Sequence, residues 1–328
     1  MNENSNPDIF RGINPDSEWL KPQFELHAPA IEQMEIQIVS LCNRSCSFCP
    51  SGTFDAGKEM ISLETVEKLA NHLEPLGFSG TIGLHLMCEP LLHKKFAEIV
   101  SLFRRKLPEC TIRIESNGDA LDGGFKRLAG YFDAGLNEVL LNCYDSAEQR
   151  ERRNAALKSM GDGIWYWNAH MRFPRGPKHG WRVVRLRDFY EEGYSLRNWA
   201  GHVEQQRPGE LSFPLPLSCA RPFRRVHVNW RGQAVLCNND WKHEVVIGDL
   251  TAQGLDEVWN APLMLDYRRK LLDCCRDMPL CGTCDAGLPW EKSPQCLPVG
   301  AMAAMRHGGA KAGQALRKAA GKIWRLGR

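Results

Sequence analysis

Residues 34–50 read MEIQIVSLCNRSCSFCP, a strand-like run that ends on three cysteines. Met34–Ser40 has the character of a buried β-strand. Cys42, Cys46 and Cys49 follow on the loop that leaves it. Thiolates are soft ligands suited to iron–sulfur clusters or zinc. Three of them within eight residues can converge on one face of a cluster and leave one metal position open, the condition for chemistry on a bound molecule. The alternatives are a zinc knuckle that borrows a fourth ligand, or a loop of free thiols. The spacing C-x3-C-x2-C directly after a strand argues against both.

Outward from this loop the chain alternates strands and helices. Ser62–Leu73 has helical periodicity, Thr81–Leu86 reads as a strand, and a helix lies near Lys94–Arg105. Thr111–Ser116 and Glu138–Asn142 are two further strands, a helix covers Ala147–Met160, and one or two strands lie within Ile164–Phe173 and Arg182–Leu186. Such alternation predicts an α/β fold, a parallel sheet with helices outside it. Gln205–Ser218 is rich in Pro, Gly and polar residues and reads as a linker. Beyond it, β-rich segments at Arg225–Trp230 and Ala234–Cys237 lead to a helix over Leu255–Leu272 and a cysteine-rich end.

Composition narrows the function classes. No apolar run approaches the length of a membrane span, and the polar start lacks the pattern of a signal peptide, so a cytoplasmic location is expected. In a reducing compartment 13 cysteines point to metal or redox chemistry rather than disulfides. The net charge of +3 hides an asymmetry: Lys292–Arg328 carries eight bases and no acid, which leaves −5 on the rest. A mildly acidic body gives no reason to propose nucleic acid as substrate. The basic tail, residues 299–328, has an amphipathic stretch at Gln314–Leu326. It reads as a peripheral contact with a membrane or a partner, or as a solvated terminus.

The cysteine string, with aromatic Phe48 before the last ligand, resembles the signature of the radical S-adenosylmethionine (radical SAM) superfamily. The resemblance implies that Cys42, Cys46 and Cys49 hold a [4Fe–4S] cluster whose open iron binds SAM. Reductive cleavage of SAM then yields a 5′-deoxyadenosyl radical that abstracts a substrate hydrogen, with Phe48 beside the adenine. Three shorter strings fall in the family's order. Cys88-Glu89-Pro90 looks like its Gly-Glu-Pro motif, whose carboxylate holds the SAM amino group, with Cys88 in place of Gly. Ser116-Asn117-Gly118 resembles the motif near the SAM ribose and carboxylate. Cys143-Tyr144-Asp145 occupies the place of a Ser-x-Asp string, which would let Cys143 overlook the cofactor as a hydrogen-atom donor. Each alone is an ordinary turn; together they lie at the C-terminal ends of successive strands, where barrel enzymes build their sites. The fold implied is a partial (β/α)6 TIM-like barrel over residues 33–204, after an N-terminal arm of residues 1–32.

Cys219, Cys237, Cys281 and Cys284, with GQAVLC at 232–237 and CGTC at 281–284, resemble the SPASM auxiliary-cluster module. Beyond Cys284 the further cysteines of a full module are missing, apart from Cys296. The resemblance therefore implies the shorter, twitch-like form over residues 215–298, with one auxiliary [4Fe–4S] cluster. A four-cysteine zinc ribbon is the alternative. Cys110, Cys274, Cys275 and Cys296 read as packed structural thiols. The aromatic and basic segment 164–199, ending in Asn198-Trp199-Ala200-Gly201, reads either as a polar pocket for a hydroxylated or anionic substrate or as ordinary packing. The layout resembles aminocyclitol dehydrogenases, so oxidation (or epimerisation) of a small hydroxylated, sugar-like metabolite is expected, with the auxiliary cluster taking an electron. Modification of a ribosomally made peptide is the alternative, and a non-catalytic iron–sulfur or zinc protein a distant one. An external one-electron reductant such as flavodoxin or ferredoxin is implied.

Overall fold

Alternation along each strand decides which face of the sheet is apolar and which is polar. In the computed structural model, residues 31–53, 57–160, 164–168, 182–189, 198–204, 213–215 and 219–286 are described. The arm to residue 30, most of the aromatic-rich segment, most of the linker, Cys296 and the basic tail lie outside them. Six strands run parallel: β1 (Gln33–Ile36), β2 (Thr81–Gly83), β3 (Thr111–Ser116), β4 (Glu138–Cys143), β5 (Trp165–Asn168) and β6 (Val183–Asp188). Their spatial order is β5-β6-β4-β3-β2-β1. The last two are therefore exchanged relative to the chain, and Asn142 of β4 stands beside Arg187 of β6.

Four described helices cover the apolar face: α1 (Leu63–Leu73), α2 (Phe96–Lys106), α3 (Lys126–Asp133) and α4 (Ala147–Lys158). The Ser62 side chain caps α1 by accepting from the Thr65 N–H at 3.0 Å. Val66, Leu69, Ala70 and Leu73 then recur at helical spacing and are buried. They pack with Met34, Ile36, Ile82, Ile112, Ile114 and Val139 into the main core. α3 is absent from the sequence reading. It spans only eight residues and carries Gly130, too short a stretch for its apolar spacing to stand out from a loop.

A short helix, α5 (Arg221–Arg224), feeds β7 (Arg225–Val228). β7 pairs in parallel with β1, placing His227 opposite Glu35. β8 (Gln233–Val235) and β9 (Val246–Asp249) continue antiparallel, so one nine-stranded sheet crosses the expected division near residue 210. The expected helix over Leu255–Leu272 is two, α6 (Leu255–Trp259) and α7 (Pro262–Leu272). Pro262 has no N–H to continue the first helix and starts the second instead. A second apolar cluster, with Phe223, Leu236, Val245, Met264 and Leu271, surrounds the late cysteines. No helix among the described residues is long and apolar enough to cross a membrane.

Candidate active site and second thiol site

The loop after β1 carries Cys42, Cys46 and Cys49, all partly buried, and the Cys49 N–H donates to the Cys46 carbonyl at 3.0 Å. Burial pushes all three thiols up, Cys42 to about 11, so ligation of a metal must displace their protons. Arg44, inside the loop, makes a bidentate contact to Asp119 (2.7 and 2.6 Å) and another to Asp145 (2.6 and 2.9 Å). One guanidinium thus ties the cysteine loop to the turns after β3 and β4, a geometry that the planar fork of arginine suits. Asn117 adds a second tie: its amide donates to Asn43 at 2.8 Å and lies 3.7 Å from the Cys42 sulfur.

Glu89 is the centre of this end of the sheet. Its side chain is 3% exposed and accepts from the Ser116 hydroxyl (2.7 Å), the Asn117 N–H (2.8 Å) and the Leu91 N–H (3.1 Å). Burial pushes its carboxyl up against the pull of these donors. The turn that delivers them needs Gly118, at φ 75°, because a Cβ there would lie 2.4 Å from Leu141. The left-handed residue here is Met87, at φ 52°, one position before the Cys88-Glu89-Pro90 string, so Cys88 itself needs no glycine-like backbone. The structure therefore brings Cys42, Glu89, Ser116 and Asn117 together. Phe48 stacks on Phe189 (5.6 Å) and Tyr144 (5.8 Å), which makes an aromatic wall beside the cysteine loop.

The polar face of the sheet extends this site. Glu115 accepts from Arg187 (2.9 Å) and Arg113 (3.0 Å), and Arg187 also donates to Asn142 at 2.8 Å. Asn142 in turn donates to the Tyr144 hydroxyl at 3.1 Å. Further across the face, Glu35 accepts from Gln33 (2.7 Å) and Arg225 (3.1 Å), with His227 at 3.6 Å. Burial raises the Glu115 carboxyl, but Arg187, His85 and Arg113 outweigh it and hold its pKa well below the carboxylate range. Burial lowers the fully buried His227 imidazole to about 4, against the pull of Glu35, so it is neutral near pH 7. Apart from Tyr144, in the Cys143-Tyr144-Asp145 string, and Arg187, within the aromatic and basic segment 164–199, the sequence reading missed this row. The signal was present in TIRIES (111–116), where charges alternate with isoleucines inside a strand expected to be buried.

Cys143 needs a correction. It is fully buried in the main core with Leu141 and Leu186, on the face opposite Asn142, and it interacts with Arg153 of α4. The period of two along β4 turns its thiol toward the helix layer, so the hydrogen-donor role expected for Cys143 does not fit. Cys274 is disulfide-bonded and is not a free packed thiol.

At the other end of the chain, Cys219, Cys237, Cys281 and Cys284 line one cavity, with walls that include Leu236, Leu271 and Leu280. The Asn239 amide donates to the Cys284 sulfur at 3.2 Å. The backbone N–H groups of Asn239 and Ala286 lie 3.4 Å from the sulfurs of Cys237 and Cys284. Four thiols around an apolar cavity, met by N–H donors, fit an iron–sulfur cluster with four cysteine ligands. In the first loop three thiols beside a polar, buried carboxylate fit a cluster with an open position for a ligand.

A family model described as the Radical SAM superfamily matches residues 36–168, and one described as an iron–sulfur cluster-binding domain, SPASM, matches residues 219–285. The chain is similar to the S-adenosyl-L-methionine-dependent 2-deoxy-scyllo-inosamine dehydrogenase of Niallia circulans: 23% identical over 255 residues, covering 77% of this chain and 92% of that protein. It is similar in fold to BtrN in complex with AdoMet and 2-DOIA, at TM-score 0.64 and 22% identity, covering 81% of this chain and 96% of that one. BtrN in an open conformation matches at TM-score 0.54 and 21% identity, over 78% of this chain and 92% of that one. The chain belongs to the radical SAM superfamily, with [4Fe–4S] clusters and SAM as cofactors and a SPASM iron–sulfur cluster-binding domain following its radical SAM domain.

Proposed function

We propose that this protein is a radical SAM dehydrogenase that oxidises a secondary alcohol of a small, polyhydroxylated, amino-sugar-like substrate to the ketone. The observation that carries this reading is the polar row across the open face of the sheet. Glu35, Glu115, Asn142, Arg187 and Tyr144 offer donors and acceptors suited to hydroxyl and amino groups rather than to apolar side chains. The similarity to an enzyme named for dehydrogenation of 2-deoxy-scyllo-inosamine supports the same class.

In this reading Cys42, Cys46 and Cys49 hold the cluster that binds SAM, and Cys219, Cys237, Cys281 and Cys284 hold a second one. Bound there, the first cluster and SAM would supply hydrogen-atom abstraction at the carbinol carbon, and the second cluster would supply an acceptor for the one electron that leaves as the hydroxyl proton passes to solvent or the polar row. The protein's own residues do the positioning. Glu89 receives the SAM amino group at a carboxylate already aligned by Ser116 and Asn117. Phe48, Tyr144 and Phe189 shield the loop from water. Arg187 and Glu115 hold substrate hydroxyls in register. An external one-electron reductant of the flavodoxin or ferredoxin type would start each cycle.

The test is anaerobic reconstitution followed by incubation with SAM, reductant and an aminocyclitol deuterated at its carbinol carbon. Deuterium in 5′-deoxyadenosine and one equivalent of ketone are expected. Deoxyadenosine formed without label or ketone, across a panel of aminocyclitols and sugars, would sink the reading.

A further inference from the structure

Two arginines line the cavity of the late cysteines, and both are buried: Arg221 is 4% exposed and Arg276 is 2% exposed. They differ in what holds them. Arg276 donates to the main-chain carbonyls of Cys284 (3.1 Å) and Ala286 (2.6 Å), so it acts as a brace for the loop that carries Cys284. Arg221 stands two residues after Cys219, at the start of α5, between the thiol cavity and the strand that brings Arg225 and His227 to Glu35. A guanidinium stays charged at any accessible pH. Four thiolates around a 2+ cluster core form a dianion, and adding an electron makes it a trianion. A fixed positive charge in contact with that group stabilises the reduced form more than the oxidised one. Net charge and hydrogen bonds to sulfur are the terms by which a protein sets a cluster's potential.

We infer that Arg221 is a positioning residue for electron acceptance: its buried charge raises the reduction potential of the second cluster, so that the cluster can take the electron that alcohol oxidation releases. The inference rests on the assignment of the four late cysteines as cluster ligands and deepens the dehydrogenase reading. The Asn239 amide and the two backbone N–H groups aimed at the sulfurs act in the same direction. The cavity is thereby biased toward accepting charge, whereas an apolar shell alone would oppose it. At separations of several ångströms and an effective dielectric of about 20, one unit charge is worth about tenfold or more in an equilibrium constant, so removing it has a readable effect.

The test uses the full chain with Cys42, Cys46 and Cys49 replaced by Ala, so that only the late set can load. The protein is reconstituted with iron and sulfide, and its midpoint potential is read by EPR-monitored titration. Arg221→Met is expected to load iron as the parent does but to titrate lower, by tenfold or more in the reduction equilibrium, about 59 mV for one electron. Arg221→Lys, which keeps the charge, is expected to stay near the parent. A loaded Arg221→Met protein at the parent's potential overturns the inference. If Arg221→Met does not load while Arg221→Lys does, the charge serves to hold the cluster rather than to set its potential, and the inference falls. If neither loads, Arg221 is a packing residue and the inference falls. Failure of the parent to take up iron would overturn the ligand assignment itself, a distinct result that removes this inference with it.

Discussion

Glu89 accepts three hydrogen bonds, from the Ser116 hydroxyl and from the Asn117 and Leu91 N–H groups. Glu89→Gln removes the charge and turns an NH2 group toward the Ser116 hydroxyl or the Asn117 N–H. The loss of one charge-assisted contact is worth about 2 kcal/mol. SAM should therefore bind roughly thirtyfold more weakly while iron content is kept, as read from deoxyadenosine formation against SAM concentration. Unchanged SAM affinity would remove Glu89 from the site. His227 makes a second prediction. Its folded pKa, about 4, lies below its ordinary 6.5, because burial disfavours the cation and Arg225 and Arg221 add to that against the pull of Glu35. Between those values the unfolded chain binds the proton and the folded protein does not. Stability from the neutral imidazole is therefore complete above pH 6.5 and declines as pH falls toward 4, by up to about 3 kcal/mol. Urea midpoints from pH 7.5 to 4.5 should fall for the parent, and His227→Gln should flatten that slope. Equal slopes would mean the ring is charged in the fold.

The segment Asn198–Gly201 ties the two thiol sites together. Asn198 donates from its backbone to Asp285 (3.0 Å) and from its side chain to the Thr283 carbonyl (2.7 Å), on either side of Cys284. One residue later the Trp199 indole donates to the Phe48 carbonyl at 2.8 Å, next to Cys49. Trp199, Ala200 and Gly201 are all left-handed, at φ 49°, 61° and 86°. Each of the first two costs about 1 kcal/mol or more, which surrounding contacts must offset. Asn198→Ala strips the side-chain partner from the Thr283 carbonyl and from two buried N–H groups, those of Ala200 and Asp285, so a loss of about 3 kcal/mol is expected, with iron released to a chelator faster from the late cysteines. Trp199→Phe removes one hydrogen bond and should cost about 1 kcal/mol. An Asn198→Ala protein with parental stability and iron retention would show the strap to be ornamental. The contrast with the cysteine strings explains what the sequence revealed. Glu89, Ser116, Asn117 and Phe48 lie in short strings at strand ends, where residue type and local turn suffice. Arg44 meets Asp119 and Asp145 across 75 and 101 residues, and Asn198 meets Asp285 across 87. No local pattern encodes such pairings. Cys143 was misplaced for a related reason, since its neighbours fix the strand but the face it takes follows from register with β3 and β6.

The sheet is the element that makes the two sites one machine. β1, which launches the first cysteine loop, is flanked by β2 on one side and β7 on the other. Val226 and Val228 of β7, and Leu255 and Trp259 of α6, are buried in the same cluster as Met34 and Ile36 of β1. The charged row is shared in the same way, because the Arg225 partner of Glu35 comes from the late half of the chain. A fragment ending at residue 204 would leave β1 as an edge strand with unpaired N–H and C=O groups. It would also expose the apolar side chains that β7 and α6 cover, and strand Glu35 as a buried carboxylate without Arg225. An uncompensated buried charge alone costs several kcal/mol, comparable with the whole stability of a domain. Residues 31–204 expressed alone should therefore lack a cooperative urea transition by far-UV circular dichroism and should fail to retain iron after reconstitution. Adding residues 205–286 should restore both together. A fragment that melts cooperatively and binds SAM would show that the radical SAM half folds independently, and that the β1–β7 pairing only docks a finished auxiliary domain.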